Sequence, residues 1–114
     1  FGGGLFINAY DMARFGLLTL RKGNWNGKQI IAEDWINQSL TPTTANTGYG
    51  FMNYFLNTDK KMYPSAPASA YAHIGNGTNA IYVDRENDIV AVIKWMDDKS
   101  IDGFLKLVLT ALPK

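Results

Sequence analysis

A chain of 114 residues with 46% hydrophobic and 18% charged positions has the size and composition of one compact domain, and disorder is excluded as its default state. Eleven basic against ten acidic residues leave a net charge of +1, too little for the phosphate-neutralising surface that nucleic acid requires. The absence of cysteine removes disulfides, thiolate metal sites and cysteine nucleophiles, and the longest clean apolar run, Ile89-Val90-Ala91-Val92-Ile93, is far short of the roughly 20 residues of a membrane-spanning helix.

Phe1-Gly2-Gly3-Gly4 has no initiator Met, basic leader or cleavable apolar stretch, and reads as the interior of a longer chain, in a flexible glycine-rich loop. From Asn8 the pattern turns helical. Ala9, Met12, Ala13, Gly16, Leu17 and Leu20 recur at helical spacing and predict one buried face, with Asn8 as N-cap, Asp11 at N3 and Gly23 closing the helix after Arg21 and Lys22. Asn26-Gly27 suits a tight turn, so Asn24–Ile31 is expected as a hairpin-like link. A second helix is predicted from Glu33 to Leu40, with Trp35, Ile36 and Leu40 inward and Thr41-Pro42 as its stop.

After a polar loop at Thr43–Gly48, Tyr49–Leu56 reads as one mostly buried strand. Asn57–Ser69, with Pro64, Pro67 and Asp59-Lys60-Lys61, is loop chemistry and the expected internal boundary. Three strands follow at Tyr71–Ile74, Ala80–Asp84 and Ile89–Trp95, spaced too closely for anything but antiparallel neighbours. The stripe Ile101, Phe104, Leu105, Val108, Leu109 and Leu112 predicts a terminal helix covering one sheet face. The fold class is α+β, with an antiparallel sheet, a C-terminal helix on it and two N-terminal helices.

The single histidine, His73, lies at a strand end before Ile74-Gly75-Asn76-Gly77, where glycine permits close approach of a ligand to the backbone. Taken alone, a lone strand histidine is more often a hydrogen-bonded structural or surface residue than a catalytic one. Asp84, Glu86 and Asp88 read as solvated turn residues, so neither a metal site nor a cofactor is expected. Gly2–Gly4 lacks the G-x-x-x-x-G-K-[ST] pattern of a phosphate loop. Trp25, Trp35 and Trp95 could belong to a sugar-binding surface, although such aromatics usually fill the core and its edge.

Taken in order, the motifs resemble one family. Gly3-Gly4-Leu5 followed by Asn8-Ala9-Tyr10-Asp11-Met12-Ala13-Arg14-Phe15 is similar to the GGL and D-M-A-R-F segment of the serine β-lactamase and D-alanyl-D-alanine peptidase-like hydrolases, especially their class C and esterase-like branch. Gly23-Asn24-Trp25-Asn26-Gly27-Lys28-Gln29-Ile30-Ile31, then Glu33-Asp34-Trp35-Ile36 with Thr41-Pro42, and then Tyr49-Gly50-Phe51, continue the likeness. His73-Ile74-Gly75 stands where that family carries its third motif, K-T-G or H-x-G. The likeness covers nearly the whole chain, and ordered spacing carries it.

Two motifs are missing. None of Ser39, Ser65, Ser69 or Ser100 has a lysine three residues on, and no Tyr-x-Asn occurs. The resemblance therefore implies the C-terminal part of an acyl-enzyme hydrolase, inactive alone, with residues 1–56 ending its helical region and residues 57–114 forming the last three strands of its sheet and the closing helix. It implies that the backbone N–H of Asn76 serves the oxyanion, that Gly75 keeps the strand edge clear for substrate, and that His73 supplies hydrogen-bonding or positive potential beside the nucleophile. Ile74 stands where threonine or serine binds a substrate carboxylate, which isoleucine cannot do, and this favours a peptidase or esterase. The implied partners are the N-terminal remainder of the hydrolase and a small-molecule or peptide substrate, in the periplasm or cell envelope. In the family the strand at Ile89–Trp95 is central, so without that remainder its free edge would invite homodimerisation. The alternative is a non-catalytic module that binds a cell-wall peptide or glycan.

Overall fold

The computed structural model describes residues 4–55 and 62–113, so most of the expected Gly2–Gly4 loop and the Asp59-Lys60-Lys61 run lie outside the described residues. Helix α1 (Ala9–Leu20) begins as its sequence requires, with the Asn8 side chain accepting the Asp11 N–H at 2.8 Å. It is capped by Arg21, after which Lys22 and Gly23 turn the chain through positive φ angles. Strands β1 (Asn24–Trp25) and β2 (Lys28–Gln29) form the expected hairpin around Asn26-Gly27. Helix α2 (Glu33–Ser39) follows, tied to the end of α1 by a Lys22–Glu33 ion pair at 2.8 Å.

The α+β class and the antiparallel sheet hold, and among the described residues two short strands extend the three expected ones to five. β3 (Tyr49–Gly50), β4 (Asn53–Phe55), β5 (Tyr71–Gly75), β6 (Asn79–Asp84) and β7 (Ile89–Ile93) lie side by side in chain order, every pair antiparallel. The stretch expected as one buried strand at Tyr49–Leu56 is a hairpin whose two turn residues, Phe51 and Met52, have φ of 50° and 67° and are exposed. Nothing in a Phe-Met pair announces such a turn, since both residues pay a steric cost there that asparagine and glycine avoid. The strand expected to run to Trp95 stops at Ile93, and β7 is an edge of the described sheet. Trp95 turns away with φ 58° and lays its ring so close to Gly77 that a Cβ there would be 2.1 Å from it.

Strand alternation divides the core in two. Ala80 and Tyr82 of β6 face helix α3 (Asp98–Thr110) and pack with Ala72, Ile93, Ile101 and Leu105. Ile81 and Val83 face the other way, onto Met12 and Leu20 of α1 and Tyr71 of β5. Of the six-residue stripe expected on the last helix, Ile101 and Leu105 are buried and the others are half-covered.

The buried line on α1 also differs from the expected one. Met12, Gly16, Thr19 and Leu20 are buried, whereas Ala9 and Leu17 stay exposed and Ala13 is half-buried. The contact is centred on Gly16, where a Cβ would lie 2.6 Å from Val90 and 2.7 Å from Ile81, so the missing side chain lets the helix settle on the sheet. Thr19 tolerates burial because its hydroxyl donates to the Gly16 carbonyl and accepts from the Tyr71 hydroxyl, both at 2.9 Å. Trp35, expected inward, is 49% exposed, since α2 is short and turns only Ile36 fully inward.

Of the three acids taken as solvated turn residues, Glu86 and Asp88 are exposed as expected and Asp84 needs correction. Asp84 is completely buried, accepting from the Tyr82 hydroxyl, the Glu86 and Asn87 backbone N–H groups and the Asn87 side chain at 2.8–3.0 Å. Burial, together with the adjacent Asp84 carboxylate, pushes the Tyr82 phenol far above its ordinary range. Asp88 is exposed but forms a two-pronged ion pair with Arg21 at 2.6 and 3.0 Å, which keeps its carboxyl below the usual range. No helix among the described residues is long and apolar enough to cross a membrane.

Two substitutions test this packing. Gly16→Ala should lower stability by about 1–3 kcal/mol despite alanine's better helix propensity, because Val90 and Ile81 are β-branched and stiff. Asp84→Ala should cost on the order of 3 kcal/mol by stranding several buried donors. Chemical denaturation followed by circular dichroism measures both, and an unchanged midpoint for Gly16→Ala would refute the close helix–sheet contact.

Candidate functional site

His73 occupies the middle of β5, on the face turned to α1, and its ring meets Phe15 and Tyr71 edge-on at centroid distances of 5.2 and 5.7 Å. The ring also hydrogen-bonds the Met52 backbone, while Nε2 is buried without a partner among the described residues. Burial lowers the His73 pKa below its ordinary 6.5, and the bond to Met52 opposes this less strongly, so the imidazole is held neutral at pH 7. The neighbouring Tyr71 phenol is pushed up by its own burial.

Around His73 the chain forms a partly open cavity of about 130 Å³ between α1, α2, the β3–β4 turn and β5. Phe15, Trp35, Phe51 and Tyr71 form much of its wall, with Trp35 and Phe51 meeting edge-on at 5.6 Å. Asn53 is fixed by donating to the Ser39 carbonyl at 2.8 Å, which ties the strained turn to α2. These partners come from four separate elements, so no local motif reveals them. The exposed aromatics at 15, 35 and 51 were the available signal, and as isolated residues they look like ordinary surface or core positions.

Gly75 and Asn76 follow at the end of the same strand. The β4 ladder reaches only Tyr71 and Ala72, whereas β6 pairs with all five residues of β5, so His73–Gly75 borders a strand on one side. The fold does not require glycine at 75, since a Cβ there would meet only the Asn79 carbonyl oxygen at 3.8 Å, an ordinary contact. Asn76 is exposed, its side chain accepting the Gly77 N–H at 3.0 Å and its carbonyl accepting from Asn79 at 2.7 Å. Ile74, read as the counterpart of a carboxylate-binding hydroxyl, packs against the α3-side core instead, because alternation sends it to the face opposite His73.

The serine hydroxyls with recorded bonds are committed elsewhere. Ser39 donates to the Ile36 carbonyl, Ser65 to Asp102 and Ser69 to Glu86, at 2.8–3.0 Å. None of these bonds joins a serine to His73 or a lysine, the pairing that would activate a nucleophile.

The depressed pKa has a consequence for stability. Between the folded and unfolded values the unfolded chain binds the extra proton, so stability is complete above about pH 6.5 and declines as pH falls toward the folded value. Proton NMR should place the only histidine of the 114-residue chain below 6.5. The denaturation midpoint should fall between pH 7.5 and 5, and His73→Phe should flatten that decline. An equal slope in the variant would assign the pH dependence to other groups.

Residues 1–105 match a family model described as Beta-lactamase. No curated protein matches the sequence significantly. Among 24 matching chains of solved structure, one carries the provisional name 6-aminohexanoate-dimer hydrolase, from Bacillus anthracis. It superposes with a TM-score of 0.65 at 20% identity over 93% of this chain, a likeness of fold. The chain spans 30% of that protein's length.

Proposed function

Because the chain belongs to the beta-lactamase family, we propose that it forms the third-motif side of the active site in a serine hydrolase that works through an acyl-enzyme. The carrying observation is the one-sided end of β5: His73, Gly75 and then Asn76 follow one another along a strand end whose outer edge is unpaired past Ala72 among the described residues. A substrate backbone can lie along that edge. The Asn76 N–H then donates to the oxygen that becomes negative as the serine attacks the scissile carbonyl, and Gly75 leaves room for the acyl group. Since glycine at 75 answers no demand of the fold, clearance for a ligand is a physical reason for its presence.

In this reading His73 acts as a neutral hydrogen-bonding group. It does not supply the positive charge that lysine would bring to the same position. Together with Ile74 packed into the core, this favours an ester, amide or peptide substrate over one anchored by a carboxylate next to the reacting bond. The serine and its base come from outside these 114 residues, since neither S-x-x-K nor Tyr-x-Asn occurs among them. The serine forms a bond to the acyl carbon as its proton passes to the base, the leaving group departs with a proton, and water then releases the acid and the free serine. A periplasmic or envelope location accompanies this reading.

Labelling with a fluorophosphonate or a fluorescent penicillin tests it. The 114-residue chain should take up no label, and the intact gene product should be labelled stoichiometrically on a serine outside this segment. There, Gly75→Val should slow acylation at least about tenfold while shifting the melting temperature little. Stable labelling of the short chain, or an intact product that never labels, would sink the proposal.

A further inference from the structure

The cavity beside His73 has a feature that folding alone leaves unexplained. The polar groups of Tyr71, Thr19, Ser39 and Asn53 on its wall are hydrogen-bonded within the protein, whereas Nε2 of His73 is buried and unpartnered. A buried polar atom without a partner is costly, and native structures keep few of them. In a neutral imidazole Nε2 accepts or donates according to the tautomer, and either way it requires a partner. What Nε2 lacks is a hydrogen-bonding group facing it from the cavity.

Size and polarity narrow the class further. A volume of about 130 Å³ is close to the ~150 Å³ of an apolar protein cavity that accepts benzene. No residue on the wall carries a formal charge, and Phe15, Trp35 and Phe51 present aromatic surface to an occupant. The turn that closes the cavity holds two bulky residues, Phe51 and Met52, at positive φ. Such strain persists where surrounding contacts or a function maintain it.

We propose that this cavity is a binding pocket for an uncharged aryl or branched alkyl group bearing one O–H or N–H, which hydrogen-bonds Nε2 of His73. The pocket holds a ring-sized apolar body among Phe15, Trp35 and Phe51, and the single donor sets its orientation. As binding chemistry this stands independently of any reaction. Where it names a substrate class it rests on the proposed hydrolase: the substrate then carries such a neutral, donor-bearing group beside its scissile bond.

Phenol and benzene are the probes, being nearly equal in size and differing in one donor. Titrated into the chain with its histidine ring labelled with ¹⁵N, phenol should bind saturably and move the Nε2 resonance, at least about tenfold more tightly than benzene, roughly the effect of one buried hydrogen bond. His73→Phe should abolish the discrimination, and His73→Gln, which retains an acceptor, should preserve part of it. The comparison on the unaltered chain is decisive even if a variant fails to fold. Equal affinities, no saturable binding, or an Nε2 resonance that ignores phenol would each overturn the pocket. Phenol discrimination in a protein whose intact form never labels with fluorophosphonate would uphold the pocket while rejecting the hydrolase.

Discussion

The carboxylate of Asp84 sets the geometry on which the rest of the sheet depends. It has no exposure to water, and a buried carboxylate is tolerated only when its oxygens are fully engaged. Two backbone N–H groups of the following turn and two side chains meet that requirement. The turn is thereby held in one conformation, and Asp84 stands opposite Ile89. A slip of one residue would send Ala80 and Tyr82 toward α1 and Ile81 and Val83 toward α3, exchanging the two halves of the core. A polar contact at the end of β6 thus protects an apolar arrangement along its whole length.

The position of α1 follows from that register. With Ile81 and Val90 on the same face, the helix meets the sheet at Gly16, and its next turn carries Thr19 to the Tyr71 hydroxyl. Phe15 is then delivered to the edge of the His73 ring. The two-pronged Arg21–Asp88 pair joins the end of α1 to the turn that Asp84 organises. Both partners are exposed, so the pair contributes more to alignment than to stability. The environment of His73 is therefore a product of how α1 packs across the neighbouring strands as well as of its own strand.

The glycines differ in what packing demands of them. At 16 and 77 a side chain has nowhere to go, because Val90 and Ile81 or the Trp95 ring occupy the space. At 75 a Cβ has room within the fold and φ lies outside the left-handed region, so packing makes no demand for glycine there. The Phe51-Met52 turn shows the converse, a place where glycine would be easier and bulky residues stand instead. There Phe51 packs on Trp35 and the Met52 backbone meets the His73 ring.

Local patterns in the sequence determined the helices, the Asn26-Gly27 hairpin, the three antiparallel strands from β5 to β7 and the α+β class, since caps, turn residues and periodicity act within a few neighbouring positions. The ordered motifs also identified the family. Tertiary structure alone decided which part of each apolar stripe is buried, because that depends on where Gly16 lets α1 touch the sheet. It alone made Asp84 a buried anchor instead of a solvated turn acid, and divided Tyr49–Leu56 into a hairpin against the preferences of Phe51 and Met52. The walls of the His73 cavity were illegible for the same reason: Phe15, Trp35, Phe51 and Tyr71 are brought together only by packing between elements distant in the chain, and no local spacing encodes that contact.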